Sequence, residues 1–150
     1  MVHPRGAVIS PERLLTDEIG RGIMRVRRLI LTEAGKRLEP QGDSVLAWQA
    51  LNLLDRLGPV PQGALAEGLG QHAPGISRLV DELARDRLIK RGRNRLDRRV
   101  VVVSLARRGK TRLEADRPLM EAAVERVLAP LDQTDRRALR NLLWRMIPQK

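Results

Sequence analysis

The 150-residue chain has no cysteine, no tyrosine and no phenylalanine, and its aromatic content is two tryptophans, Trp48 and Trp144. Lack of cysteine excludes disulfides, thiolate zinc sites and thiol redox sensing. Its two imidazoles, His3 and His72, are remote in sequence, and with neither cysteine nor tyrosine no nucleophile–base arrangement presents itself. No glycine-rich phosphate loop or metal-ligand spacing is present. Adjacent carboxylates such as Asp17-Glu18 and Asp81-Glu82 point in different directions on a helix, which rules them out as an acid/base pair. The chain therefore reads as a non-enzyme without cofactor or metal. No apolar run could span a bilayer, and the opening MVHPRGAVISPERLL has no signal-peptide core, so a cytoplasmic location and no membrane partner are expected.

What is present is aliphatic and basic. Apolar residues are 42% of the chain, so Leu, Val, Ile, Ala and Met must fill the core, a palette suited to helices packed on helices. The formal net charge is +11, and its distribution says more than its size. Residues 1–84 are neutral overall and residues 113–150 nearly so. Residues 85–112 carry twelve basic side chains against Asp86 and Asp97. So dense a block repels itself unless an anionic partner meets it, which favours a polyanion over a merely solvated surface.

Hydrophobic spacing places helices along most of the chain. Leu15, Ile19, Ile23, Val26 and Ile30 form one stripe of a long helix from about Pro11 to Leu38, with Ser10-Pro11 as cap and first turn. That stripe is too narrow to stand alone and needs a partner surface. Pro40-Gln41-Gly42 breaks the pattern, and a mostly buried helix runs from about Asp43 to Leu57, stopped by Gly58-Pro59. Short helices at about Gln62–Leu69 and Ala73–Arg87, joined by Gly70-Gln71-His72, have the shape of a helix-turn-helix. The period then switches. Leu88–Arg91 and Arg99–Leu105 read as a hairpin around the basic tip Gly92–Arg98. Helices at about Arg107–Leu128, bent by Pro118, and Gln133–Ile147, capped by Asp132 with Asp135, complete the chain.

Helix, helix-turn-helix and basic hairpin in that order make a mostly α winged helix-turn-helix with a small β-hairpin wing. Such a fold sets one helix in the major groove of DNA and the hairpin beside the neighbouring minor groove, where arginine suits the concentrated negative potential. Lys90, Arg91, Arg107, Arg108 and Lys110 are placed to meet phosphates. The division is an N-terminal dimerisation helix over 1–40, a DNA-binding lobe over 41–106 and C-terminal dimerisation helices over 107–150.

Over Leu65 to Leu113 the sequence resembles the MarR-type (multiple antibiotic resistance) regulators. ALAEGLG is similar to the first helix of the family's reading pair, and ISRLVDELARDRLIKR to its recognition helix running into the wing. LDRRVVVVSLARRG resembles the D-x-R…L-T-x-x-G stretch, with Asp97, Arg99, Leu105 and Gly109 at the matching offsets. The resemblance implies a homodimeric transcription regulator, a repressor by default, that docks two lobes on a pseudo-palindromic operator in double-stranded DNA and that a small-molecule effector, at a site the sequence does not locate, can release. It also implies that Ser77 and Arg78 lie on the reading face and that Asp97 holds an arginine of the wing in place. Arg93, Arg95, Arg98 and Arg99, with Lys90 and Arg91, form the wing's DNA-binding set, to which Gly75 and His72 at the start of the recognition helix are added.

The sequence also departs from the pattern. His72, Ala73, Pro74 and Gly75 stand where the family opens the recognition helix with hydroxyl residues. Pro61 and Ala64 replace the usual polar start of the preceding helix. Arg87 occupies the place of a glycine expected to be left-handed, and Ala106 that of a capping threonine. Fewer hydroxyls mean less direct readout and more reliance on Arg78 and DNA shape. A sequence-indifferent nucleoid- or RNA-associated architectural protein is therefore the alternative, and a protein-interaction module a weaker third. His72 is either a phosphate- or ligand-contacting residue or an exposed turn residue. Trp48 and Trp144 are expected to be core, the alternative being an effector pocket. Arg25, Arg27 and Arg28 read as a solvated helix face before an effector site.

Overall fold

The computed structural model describes residues 11–148, so His3 and the Ser10 cap lie outside the described residues. The described chain holds six α-helices and a three-stranded antiparallel sheet, a mostly helical winged helix. Helix α1 (Pro11–Leu38) leads through a 3-10 turn at Glu39–Gln41 into α2 (Val45–Leu57). α2 starts where Ser44 Oγ accepts from the Ala47 N–H at 3.1 Å, two residues later than the sequence pattern placed it. Strand β1 (Val60–Pro61) precedes α3 (Gln62–Gly68) and α4 (Ala73–Arg85); β2 (Ile89–Arg93) and β3 (Val101–Leu105) form the wing; α5 (Arg107–Leu128) and α6 (Gln133–Met146) follow.

The main core lies in the winged lobe. Leu51 and Leu54 of α2, Leu65 of α3, Ile76, Val80 and Leu83 of α4, and Val103 of β3 are buried together with Leu113 of α5. A smaller core joins the last turns of α1 to α5 through Ala34, Leu38, Met120 and Ala123. Trp48 packs against both, as expected of a core residue, with its indole Nε1 buried and unpartnered. Trp144 does not: it is exposed on α6, a helix with no buried residue in the single chain. The sequence shows only that an apolar residue recurs at helical spacing, not whether its partner lies in the same chain.

Strand β1 was hidden in the sequence. Its two residues follow Gly58-Pro59 and read as part of a breaker, yet Val60 pairs with Val103 and Pro61 with Val102 on the outer edge of β3. An edge position tolerates proline because the missing N–H faces away from the ladder. β2 runs two residues beyond the expected Arg91, with Arg93 opposite Val101.

The junction of α5 with α2 concentrates charge. Asp116 is buried to 3% exposure. Burial raises its carboxyl pKa, Asp43 raises it further, and Arg112, which pairs with Asp43 at the head of α2, lowers it. A folded-state pKa above the unfolded value means the native state holds the proton more tightly. Stability is then lost as pH rises from the unfolded pKa through the folded one. Asp116→Asn removes the ionisable group, so it is expected to stabilise the chain at pH 7 and to lose that advantage toward pH 4. Urea midpoints at the two pH values check it, and an equal shift at both would contradict it.

Candidate nucleic-acid interface

The helix-turn-helix is built on a tight reversal. Gly70, at φ +62°, follows the Leu69 that caps α3, and this left-handed conformation costs glycine little. The extended backbone of His72 begins α4, its carbonyl accepting from the N–H groups of Gly75 and Ile76 at 3.0 and 3.1 Å. The His72 side chain makes no cap and is exposed, open both to solvent and to a docked ligand or phosphate. α4 is strongly two-faced: Ile76, Leu79, Val80 and Leu83 face the core while Ser77, Arg78, Asp81, Glu82 and Arg85 face outward. Gly75 is half-buried near the helix start. Arg87 ends the segment at φ +61°, the left-handed conformation anticipated there.

Two contacts that the sequence did not suggest organise the outward face. Gln62 Nε2 at the start of α3 donates to Ser77 Oγ at 3.1 Å, so this hydroxyl is already engaged by the neighbouring helix. Arg91 of β2 donates to Asp81 of α4 at 2.5 Å and thereby ties the wing to the helix beside it. By sequence Arg91 belongs with the phosphate-facing residues; in the folded chain it has a carboxylate partner within the lobe. Partners fifteen and ten residues apart follow no helical or strand period, which is why neither was legible. Arg78 Nε reaches the Pro74 carbonyl at 3.4 Å along its own helix.

The wing tip is tightly defined. Asn94 Oδ1 accepts from the backbone N–H groups of Leu96 and Asp97 at 2.8 and 3.2 Å. Asp97 accepts from the Arg99 backbone N–H at 3.0 Å and from Nε and Nη2 of the same arginine at 3.2 and 3.3 Å, so it clamps Arg99 as anticipated. These hydrogen bonds hold the Asp97 carboxyl below its usual pKa. Arg93 Nη1 donates to the Arg98 carbonyl at 3.2 Å and braces the far side. Lys90, Arg93, Arg95 and Arg98 are exposed and have no carboxylate partner among the described residues, so the wing carries a dense cationic surface beside α4.

A separate groove of about 1220 Å³ runs between α1 and α2, lined by Arg21, Arg25, Arg27 and Arg28 on one side and Leu46 and Gln49 on the other. The three arginines read as a solvated face thus border a concavity. Among the described residues no cluster suited to a metal ion occurs, and no helix is long and apolar enough to cross a membrane.

Comparison with known proteins places this architecture. The model of the MarR family matches residues 42–100, the span from the start of α2 to the tip of the wing. A probable transcriptional regulator from Pseudomonas aeruginosa is similar at 30% identity and a TM-score of 0.71, covering 89% of this chain and 99% of its own. Wild-type MarR from E. coli in its apo form shares the fold with a TM-score of 0.80 at 21% identity, over 86% of this chain and 96% of that one. A variant of that MarR complexed with operator DNA aligns with a TM-score of 0.72 at 20% identity, over 87% and 94%. No curated protein matches the sequence.

Proposed function

This chain belongs to the MarR family, and from that premise we propose that it is a homodimeric, sequence-specific DNA-binding transcriptional regulator, acting by default as a repressor. The observation that carries the reading is the cationic wing locked to α4 through Arg91 and Asp81. A helix and a wing held at fixed separation enter adjacent grooves together. Ser77, Arg78, Gly75 and His72 face the major groove in this reading. Lys90, Arg93, Arg95, Arg98 and Arg99 serve the minor groove and phosphates, with Asp97 as the clamp. The solved E. coli complex with operator DNA supports the docking mode by its shared fold.

Dimerisation is supported by surface that one chain leaves open. Leu15, Ile19, Ile23 and Val26 on α1 are all at least 43% exposed, and Leu142, Trp144, Met146 and Ile147 at the C-terminal end are at least 50% exposed. An exposed apolar stripe on α1 and exposed apolar side chains at the end of α6 mark an interaction surface. Burying them between copies would set two lobes about one helical turn apart, roughly 10 bp, on a pseudo-palindrome. A small anionic effector in the arginine-lined groove beside α1 would shift that separation and release the DNA, in the cytoplasm where such a regulator works.

The test is a titration of the protein against labelled DNA from upstream of its own gene, with excess unrelated DNA as competitor. A discrete, competitor-resistant complex of two protomers per duplex is expected. Arg99→Ala should weaken it by an order of magnitude or more, and Ser77→Ala by less, since Gln62 already occupies that hydroxyl. Equal affinity of wild type and Arg99→Ala would sink the wing's role. Binding competed away equally by any DNA would favour the sequence-indifferent architectural protein instead.

A further inference from the structure

Leu96 is 99% exposed at the tip of the wing, the most exposed large hydrophobic side chain among the described residues. The exposed leucines of α1 and α6 belong to continuous apolar faces, but Leu96 stands alone between Arg95 and Asp97-Arg98 in the most basic stretch of the chain. Its position is built rather than frayed. Asn94 Oδ1 takes the N–H of Leu96 and of Asp97, Asp97 takes Arg99, and the Val100 N–H closes the turn on the Asp97 carbonyl at 3.0 Å. Every one of these bonds holds backbone or arginine, and none turns the leucine inward.

We propose that Leu96 is a specificity-determining residue that leads the wing into the minor groove of DNA, packs on its floor and disfavours G·C pairs there. The inference rests on the DNA-binding reading above. The occupant follows from charge: Arg95 and Arg98 flank the leucine in sequence, and Arg93 and Arg99 lie at the same end of the hairpin, a cationic tip suited to two phosphate-lined walls rather than to an apolar protein groove. The discrimination follows from the floor. A·T and T·A pairs present only acceptors there, whereas a G·C pair adds the guanine N2 amino group. A leucine pressed on that amino group strips it of water and offers no acceptor, leaving a buried donor unsatisfied. Beneath A·T pairs no donor is stranded. Thus Leu96 would supply selectivity that the hydroxyl-poor start of α4 does not.

Alternating inosine–cytosine and guanine–cytosine duplexes test this, because inosine lacks only the N2 amino group and leaves the major groove unchanged. The full-length protein is titrated with 30-bp duplexes of each kind at fixed salt. Wild type is expected to prefer the inosine duplex by roughly tenfold. Leu96→Ala should bring that ratio close to one, and Leu96→Asn, which offers an acceptor to the amino group, should invert it. Because the side chain touches almost nothing in the lobe, both variants should fold as wild type does. Arg95→Ala serves as control: it should weaken both duplexes and flatten the salt dependence, while Leu96→Ala should leave the salt slope intact. An unchanged ratio in Leu96→Ala, with both duplexes still bound, would overturn the role of Leu96 and leave the regulator reading standing. Failure of wild type to bind either duplex, or any upstream DNA, would sink both.

Discussion

Gly109→Ala is expected to destabilise the chain by about 3 kcal/mol, a large share of the ~5–15 kcal/mol that holds a domain of this size together. A Cβ at this position would lie 2.0 Å from the Leu88 carbonyl oxygen and 2.9 Å from Leu105 Cδ1. The nearest obstacle is backbone, so no rotamer change can relieve it. The same Leu88 carbonyl accepts from the Ala106 N–H at 3.0 Å, the bond that seats the first turn of α5 against the joint between α4 and β2. Moving the helix away to admit a methyl group would lengthen that bond and open Leu88, Ile89 and Leu113, all buried. The helix that carries α1 would then lose its fixed angle to the wing. Gly63→Ala is the control: its Cβ meets nothing within 4 Å in helix α3, so it should be neutral or mildly stabilising. Urea unfolding of both variants at one protomer concentration checks the contrast, since dimerisation would make stability concentration-dependent. Wild-type stability in Gly109→Ala would mean that α5 can be displaced freely.

Gly109 also shows where sequence reading succeeds and where it stops. Its offset from Asp97 marked it as part of a wing-and-helix pattern, but only the folded chain shows that a carbonyl 21 residues upstream fills the space of its missing side chain. Local periodicity made α1, α3, α4, α5 and the Asp132 cap of α6 legible, because each is decided by neighbours three or four residues away. Asp132 Oδ1 indeed accepts from the Asp135 N–H at 2.8 Å, and Ala106 starts α5 with no side-chain cap. α5 also continues through Pro118. The left-handed Arg87 could be anticipated because the position, rather than the residue, dictates the turn. Strand β1, the Gln62–Ser77 bond and the Arg91–Asp81 pair could not, because each joins segments whose spacing carries no period. The same limit applies to Trp144, whose apolar face is written in α6 while its partner is not. Of the interface, therefore, the identities of the cations and the Asp97–Arg99 clamp were readable, but the pairing of Arg91, Lys110 and Arg112 with carboxylates elsewhere in the fold was not.

That pairing sets the expected salt dependence of DNA binding: a fall of roughly 10³-fold or more between 50 and 200 mM salt for six or more phosphate contacts. The count follows from the lobe. Within the basic block Arg91, Lys110 and Arg112 are paired with Asp81, Asp55 and Asp43, and Arg99 is clamped by Asp97. Lys90, Arg93, Arg95 and Arg98 remain exposed without a carboxylate partner, as do Arg107 and Arg108 at the head of α5. Three or four such cations engaged per lobe give about six to eight phosphates per dimer, and each neutralised phosphate adds roughly 0.9 to the steepness of log affinity against log salt. Arg95→Ala should therefore reduce the slope by about one for each protomer that docks. Arg112→Ala should leave the slope unchanged, because its guanidinium is held by Asp43 at the α2–α5 junction, away from the wing. The two substitutions remove the same charge from the same basic block. Unequal effects on the slope would place the DNA at the wing. A flat response in wild type, or equal losses in both variants, would mean that net charge attracts the polyanion without the wing being its docking surface.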